Sequence, residues 1–286
     1  MNNTTNVTAE YDSISIAAVP LATEWADIEK NLKKCDEIIA NIRPETDIIV
    51  LPELFTTGFI VDTQLLENVA EPPLGRTAKW AAAKARERDM AVAGSYLTVR
   101  DGKYYNTSFF VEPSGNATFY DKHHLFCLSP EASLYGQGES EMPVIPFRGW
   151  NIAMIICYDL RFPVWCRNKG EKYDLMLVPA NWPTARGYAW RHLLIARAIE
   201  NQTPWVGADR AGSDDYGLYD GLAMICDARG EVVASASSDN PQAVLYASFS
   251  RENLLKFRKR LPVGSDADSF SLISEHKLLP PLRHKF

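Results

Sequence analysis

In the stretch Asp47–Phe59, DIIVLPELFTTGF, four consecutive apolar residues follow Asp47 before Pro52 and Glu53 break the run. Side chains point to alternate faces of a strand, so an unbroken apolar run implies that both faces are covered. Pro52 cannot donate to a ladder and closes the strand. A buried strand that ends on a carboxylate, Glu53, belongs in the interior of a layered α/β fold, where sites assemble at strand ends.

Similar runs recur along the chain. Strand patterns cover 13–20, 47–51, 90–99, 105–112, 117–121, 152–156, 174–179, 205–209, 221–226, 231–236 and 243–249. Each is short, rich in Val, Ile and aromatics, and bounded by turn residues. FFVEPSGNATFY and AMICDARGEVVASA read as hairpins around glycine-bearing turns. Helical spacing covers 25–42, where Ile28, Leu32, Cys35, Ile38 and Ile39 share a face. It also covers 77–89, with Thr77 as its expected cap, and 190–201 and 251–260. Strand pairs mixed with helices predict an α/β protein with a mixed sheet, or two sheets, and helices outside. No linker tract or internal repeat divides the 286 residues, so 1–286 is expected to form one domain. The tail over 260–286 lacks periodicity and is expected to pack on the body or on a partner subunit.

Composition narrows the function class. A net charge of −6 and no run of five like charges argue against nucleic acid or an anionic membrane as partner. No apolar run approaches the ~20 residues that span a bilayer. The N-terminal MNNTTNVTAEYDS has no basic region followed by an apolar core, so no secretory signal is expected. Five scattered cysteines without a CxxC pair fit free thiols in a reducing cytoplasm.

Three reactive residues share one situation. Glu53 follows IIVLP, Lys122 follows ATFYD, and Cys157 follows IAMII. A thiol attacks a carbonyl carbon as thiolate, and an ammonium nearby favours that form. A carboxylate can take the thiol proton and return it to a leaving amine. An ammonium and a backbone N–H can hold an oxyanion. Taken singly, a strand-end cysteine is more often core filler and a strand-end Glu or Lys more often a solvated rim residue.

The text around the three residues shifts that balance. LPELFTTGF (51–59), YDKHHLF (120–126) and IICYDLRFPVW (155–165) resemble the three signature segments of the nitrilase, or carbon–nitrogen hydrolase, superfamily. NWP (181–183) and ARAIENQ (196–202) are similar to it too. The phrasing is most similar to its ω-amidase branch, which hydrolyses the terminal amide of 2-oxoglutaramate or 2-oxosuccinamate. That resemblance implies a four-layer αββα sandwich of two mixed sheets with outer helices. It implies Glu53 as general base, Lys122 as oxyanion-stabilising residue, Cys157 as nucleophile and the Tyr158 N–H as second oxyanion donor. A second glutamate near the lysine matches Glu131, with Glu139 close by. The implied reaction is two-step acyl transfer through a thioester, consuming a small-molecule amide and water with no metal or organic cofactor. A homodimer or higher homo-oligomer is implied as well.

A keto-acid amide carries a carboxylate, so the pocket needs a further cation. Arg161 is the first candidate, against the alternative that it pairs with Asp159 and braces the turn. Arg186 is a weaker one. Phe59, Phe126, Tyr135 and Trp182 are expected to wall the pocket, although core aromatics would look the same. Shared chemistry leaves open an N-carbamoyl amine amidohydrolase, an aliphatic amidase, a nitrilase, or an inert binding protein of the same fold. His123, His124 and Cys127 lack zinc-motif spacing, no phosphate-binding GxxxxGK[ST] loop occurs, and a redox pair of Cys157 with Cys166 is disfavoured. Lys122→Ala is expected to spare the fold and to slow turnover.

Overall fold

The computed structural model describes residues 12–272 and 278–286. Residues 1–11, the segment tested for a leader, and 273–277 of the expected tail lie outside the described residues. One sheet has seven strands, in the order β14 (Leu245–Ser250), β1 (Ser13–Ala18), β2 (Ile48–Val50), β3 (Ala91–Arg100), β4 (Lys103–Val111), β5 (Asn116–Asp121) and β15 (Leu282–Lys285). The pairs β1–β2 and β2–β3 are parallel, and the others antiparallel. The second sheet has six strands, in the order β13 (Val232–Ser235), β12 (Met224–Cys226), β9 (Trp205–Asp209), β8 (Leu175–Ala180), β7 (Trp150–Met154) and β6 (Val144–Phe147). Here β7–β8 and β8–β9 are parallel. A small ribbon, β10 (Ser213–Asp214) with β11 (Gly217–Leu218), stands apart.

Strand alternation sets the layers. Ile14, Ile16, Ile48 and Val50 of the first sheet share one core with Ile152, Met154, Leu175 and Leu177 of the second. This apolar layer joins the sheets face to face, each fully buried Ile or Leu contributing about 1.5–3 kcal/mol. The intervening residues point the other way. Ala17, Ile49 and Leu51 meet Leu32, Cys35 and Ile39 of α1 (Ile28–Ala40) and Ala78, Ala81 and Ala85 of α3 (Arg76–Arg88). Ala153, Met176 and Val178 meet Trp190, Leu194 and Ala198 of α5 (Gly187–Asn201). Helix, sheet, sheet and helix are the four expected layers. Both expected hairpins form, with Gly115 (φ 85°) and Gly230 (φ 82°) supplying the left-handed turn residue.

Several elements carry no periodic signal. α2 (Thr63–Val69) and α4 (Glu131–Leu134) are one or two turns long. β6 contains Pro146, tolerated because β6 is an edge strand. The tail places Leu282–Lys285 as the edge strand beside β5, and its exposed LRHK sequence has no apolar face. Thr77 is not the cap of α3. The helix starts at Arg76 after Gly75, and Thr77 gives its backbone N–H and its hydroxyl to the Glu71 carboxylate. The last helix, α6 (Arg251–Arg260), is capped by the Ser250 hydroxyl. Among the described residues, no helix is long and apolar enough to cross a membrane.

Candidate active site

The strand ends singled out in the sequence converge. Glu53 lies three residues past β2, Lys122 one past β5 and Cys157 three past β7. The Glu53 N–H donates across the sheet junction to the Ala180 carbonyl at the end of β8 (3.3 Å). Lys122 is fully buried between two carboxylates, 2.8 Å from Glu53 Oε1 and 2.8 Å from Glu131 Oε1. Asn106 of β4 fixes the same Glu53 oxygen through Nδ2 (2.7 Å), while its backbone carbonyl takes the Lys122 N–H (2.9 Å). Glu131 sits at the start of α4 and takes the Phe126 N–H on Oε2 (2.6 Å). Glu139, the neighbouring alternative, makes no contact with Lys122 Nζ among the described residues.

Cys157 is 7% exposed and adopts φ 42°, a left-handed conformation that costs a non-glycine residue energy. Asp159, fully buried, holds this turn. Its Oδ2 accepts the Ile156 N–H (3.1 Å) and the Tyr120 hydroxyl (2.8 Å). Its Oδ1 accepts the His124 N–H (2.9 Å) and faces His124 Nδ1 (2.8 Å). The bonds tie the cysteine turn to the segment carrying Lys122. His123 stacks on Trp165 (3.8 Å) and His124 on Phe162 (3.6 Å).

Charge around the thiol is not balanced as the sequence suggests. Burial, and then the Glu53 carboxylate, push the Cys157 thiol well above the ordinary value, outweighing the opposite pull of Lys122. The ammonium does pull toward thiolate as expected, but Lys122 is already shared by two carboxylates and its pull is outweighed. Those carboxylates hold the Lys122 ammonium above its usual range against the cost of burial. Burial raises the Glu131 carboxyl, with Lys122 opposing. Removing Lys122 would leave buried carboxylates uncompensated, a cost that the expectation of an intact fold for Lys122→Ala does not include.

Comparison with known proteins shows the family. The carbon-nitrogen hydrolase family matches residues 15–259. The chain belongs to this family. It is 42% identical over 253 residues to omega-amidase YafV of Yersinia enterocolitica, covering 87% of this chain and 94% of that one. It is 31% identical over 256 residues to 2-oxoglutaramate amidase of Bacillus subtilis, covering 88% and 96%. XC1258 of Xanthomonas campestris, a CN-hydrolase superfamily protein, superimposes with a TM-score of 0.85 at 32% identity, covering 91% and 99%.

In this carbon-nitrogen hydrolase Glu53, Lys122 and Cys157 line one cleft of about 210 Å³. Phe59, Phe126, Tyr158, Arg161 and Trp182 line it as well. Tyr135 does not: it packs with Leu54 and Ile60 behind the cleft, its hydroxyl donating to the Ile60 carbonyl (2.7 Å). Arg161 does not pair with Asp159, whose oxygens are taken by Tyr120, His124 and Ile156. Its guanidinium lies over Trp182 (4.7 Å), and that of Arg186 over Phe126 (4.9 Å). Among the described residues neither forms an ion pair. Tyr216 and Tyr219, from the small ribbon and its exit, complete the mouth. Asn106, Asn181 and Asp209 also approach the site, and nothing in their sequence context singles them out. Asn181 was visible only as the first letter of NWP.

Proposed function

We propose that the protein is an ω-amidase that hydrolyses the terminal amide of small ketodicarboxylic monoamides, 2-oxoglutaramate or 2-oxosuccinamate, to the keto acid and ammonia. The observation that carries the substrate class is the pair of guanidinium groups, Arg161 and Arg186, free of ion pairs among the described residues and beside the buried Cys157, Glu53 and Lys122. A guanidinium grips a carboxylate through two parallel hydrogen bonds. The small volume of the cleft suits a substrate of this size.

The proposed sequence starts from a neutral thiol. Glu53 takes the Cys157 proton as sulfur attacks the amide carbon. The Lys122 ammonium and the Tyr158 N–H receive the developing oxyanion. Glu53 returns the proton to the amide nitrogen, the C–N bond breaks, and ammonia leaves a thioester on Cys157. Glu53 then takes a proton from water, the hydroxide adds to the thioester, and the thiol departs with its proton restored. Glu131 holds the Lys122 ammonium in place throughout. These steps need only side chains and water.

The matched range of 15–259 and the shared core between the sheets support one domain, strapped along an edge by β15. Five free thiols support a reducing, cytoplasmic setting. Assembly as a homodimer completes the proposal. Ammonia release from 2-oxoglutaramate and 2-oxosuccinamate, set against an aliphatic nitrile and an N-carbamoyl amine, tests it. Preferred turnover of the keto-acid amides is expected, and turnover confined to the nitrile or the carbamoyl amine would overturn it.

A further inference from the structure

Asn181 follows β8 directly and reaches the cleft from the six-stranded sheet. Its backbone N–H points at the Cys157 sulfur. The residue lines the same cleft as Cys157 and is 8% exposed. Yet both ends of its amide, Nδ2 and Oδ1, are buried without a hydrogen-bond partner among the described residues. Leaving both halves of a buried amide unpaired is costly, and a folded chain rarely does so without a reason. The neighbouring polar groups are half committed: Asn106 Nδ2 to Glu53 and Asp209 Oδ1 to the Trp182 N–H, while Asn106 Oδ1 and Asp209 Oδ2 also lack a partner among the described residues; of the three, Asn181 alone has both ends unpaired.

The substrate supplies what is missing. A primary carboxamide seated on Cys157 has its oxygen turned to Lys122 and the Tyr158 N–H. Its –NH2 group is left with two N–H donors and needs acceptors. Glu53 is one. Asn181 Oδ1, on a residue that lines the same cleft as Cys157, is the second.

We propose that Asn181 determines specificity for primary amides, its Oδ1 accepting an N–H of the substrate's leaving –NH2 group. The assignment rests on the ω-amidase function proposed above and deepens it. A site built to accept an N–H rejects analogues that lack it more strongly than an apolar pocket discriminates by shape, because its acceptor is then left unpaired. Esters and nitriles, which have no N–H at the reacting group, are disfavoured by Asn181 itself.

Binding separates this role from turnover. Calorimetric affinities of the full-length Cys157→Ala protein are measured for 2-oxoglutaramate and for its ω-methyl ester, then repeated with Asn181→Leu added. The expected result is an amide affinity about tenfold or more weaker, with ester affinity within about twofold. Equal weakening of both ligands, the result for a residue that grips the keto-acid tail or merely shapes the cleft, overturns the assignment. So does no change in either. Asn181→Ala reads the same amide-to-ester ratio should the leucine variant fail to melt cooperatively. If the Cys157→Ala protein binds neither ligand, the function proposal itself fails and takes the assignment with it. Amide and ester binding with an unchanged ratio sinks only the role of Asn181.

Discussion

Strands of the seven-stranded sheet deliver Glu53, Asn106 and Lys122 to the site, while the six-stranded sheet ends in Cys157, Asn181 and Asp209. The first set is an ion cluster, with Lys122 buried between Glu53 and the Glu131 of α4. In the second set, Cys157 and Asp209 are both pushed toward their uncharged forms. Burial pushes the Cys157 thiol well up, and it pushes the Asp209 carboxyl well above the carboxylate range despite the Trp182 N–H on Oδ1. Under the proposed mechanism neither sheet is reactive alone. In the proposed mechanism the nucleophile stays a thiol until Glu53, from the other sheet, takes its proton, across a junction that the Glu53 N–H and the Ala180 carbonyl hold together.

The most damaging way to break this division is to remove the base and keep its shape. Glu53→Gln retains an acceptor for Asn106 and Lys122 but cannot take a proton. Steady-state ammonia release should fall by roughly 10²–10⁴-fold with the fold unchanged. Less than a tenfold loss would mean the thiol ionises without Glu53.

Lys122→Ala breaks the ion cluster itself. Turnover should fall by about 10²-fold or more, and urea unfolding should show a loss of about 3–5 kcal/mol from the uncompensated carboxylates. A variant as stable as the parent would show that the cluster is not held as described.

Smaller effects sharpen the picture at the mouth. Arg161→Gln and Arg186→Gln should each raise KM for 2-oxoglutaramate about tenfold with little change in kcat, and should leave a neutral aliphatic amide unaffected. Equal losses on both substrates would return the arginines to a structural role.

The smallest effect concerns Asp209. Its folded-state carboxyl is raised, so between the unfolded and the folded values the folded chain keeps a proton that the unfolded chain has lost. Its stabilising contribution is therefore complete below the unfolded value and declines as pH rises toward the folded one. Asp209→Asn should remove that decline. Its melting temperature should exceed the parent's by on the order of a few degrees at neutral pH, and the gap should close toward pH 4. A constant gap would show that Asp209 ionises as freely folded as unfolded.

The layered fold was legible because fully apolar runs such as Ile48–Leu51 and Ile152–Ile156 admit few other placements. Glu53, Lys122 and Cys157 were legible because each closes such a run within a distinctive phrase. Glu131 was less so: α4 is one turn long, and only the structure separates it from Glu139. Asn106 lies in mid-strand, where periodicity predicts burial but says nothing of which polar group it will meet. Asn181 and Asp209 become neighbours through the parallel pairing of β8 with β9, a contact between distant parts of the chain. Tyr135 shows the opposite failure, since a wall residue and a core residue have the same sequence signature.

The division of charge between the sheets is tested most directly by titrating Cys157 in the resting enzyme. The ultraviolet thiolate signal of the parent, less that of Cys157→Ala, reports this one sulfur. No Cys157 thiolate should appear below pH 9, the ordinary thiol value. A thiolate step near neutral pH would contradict the account, because the six-stranded sheet would then present its nucleophile already charged.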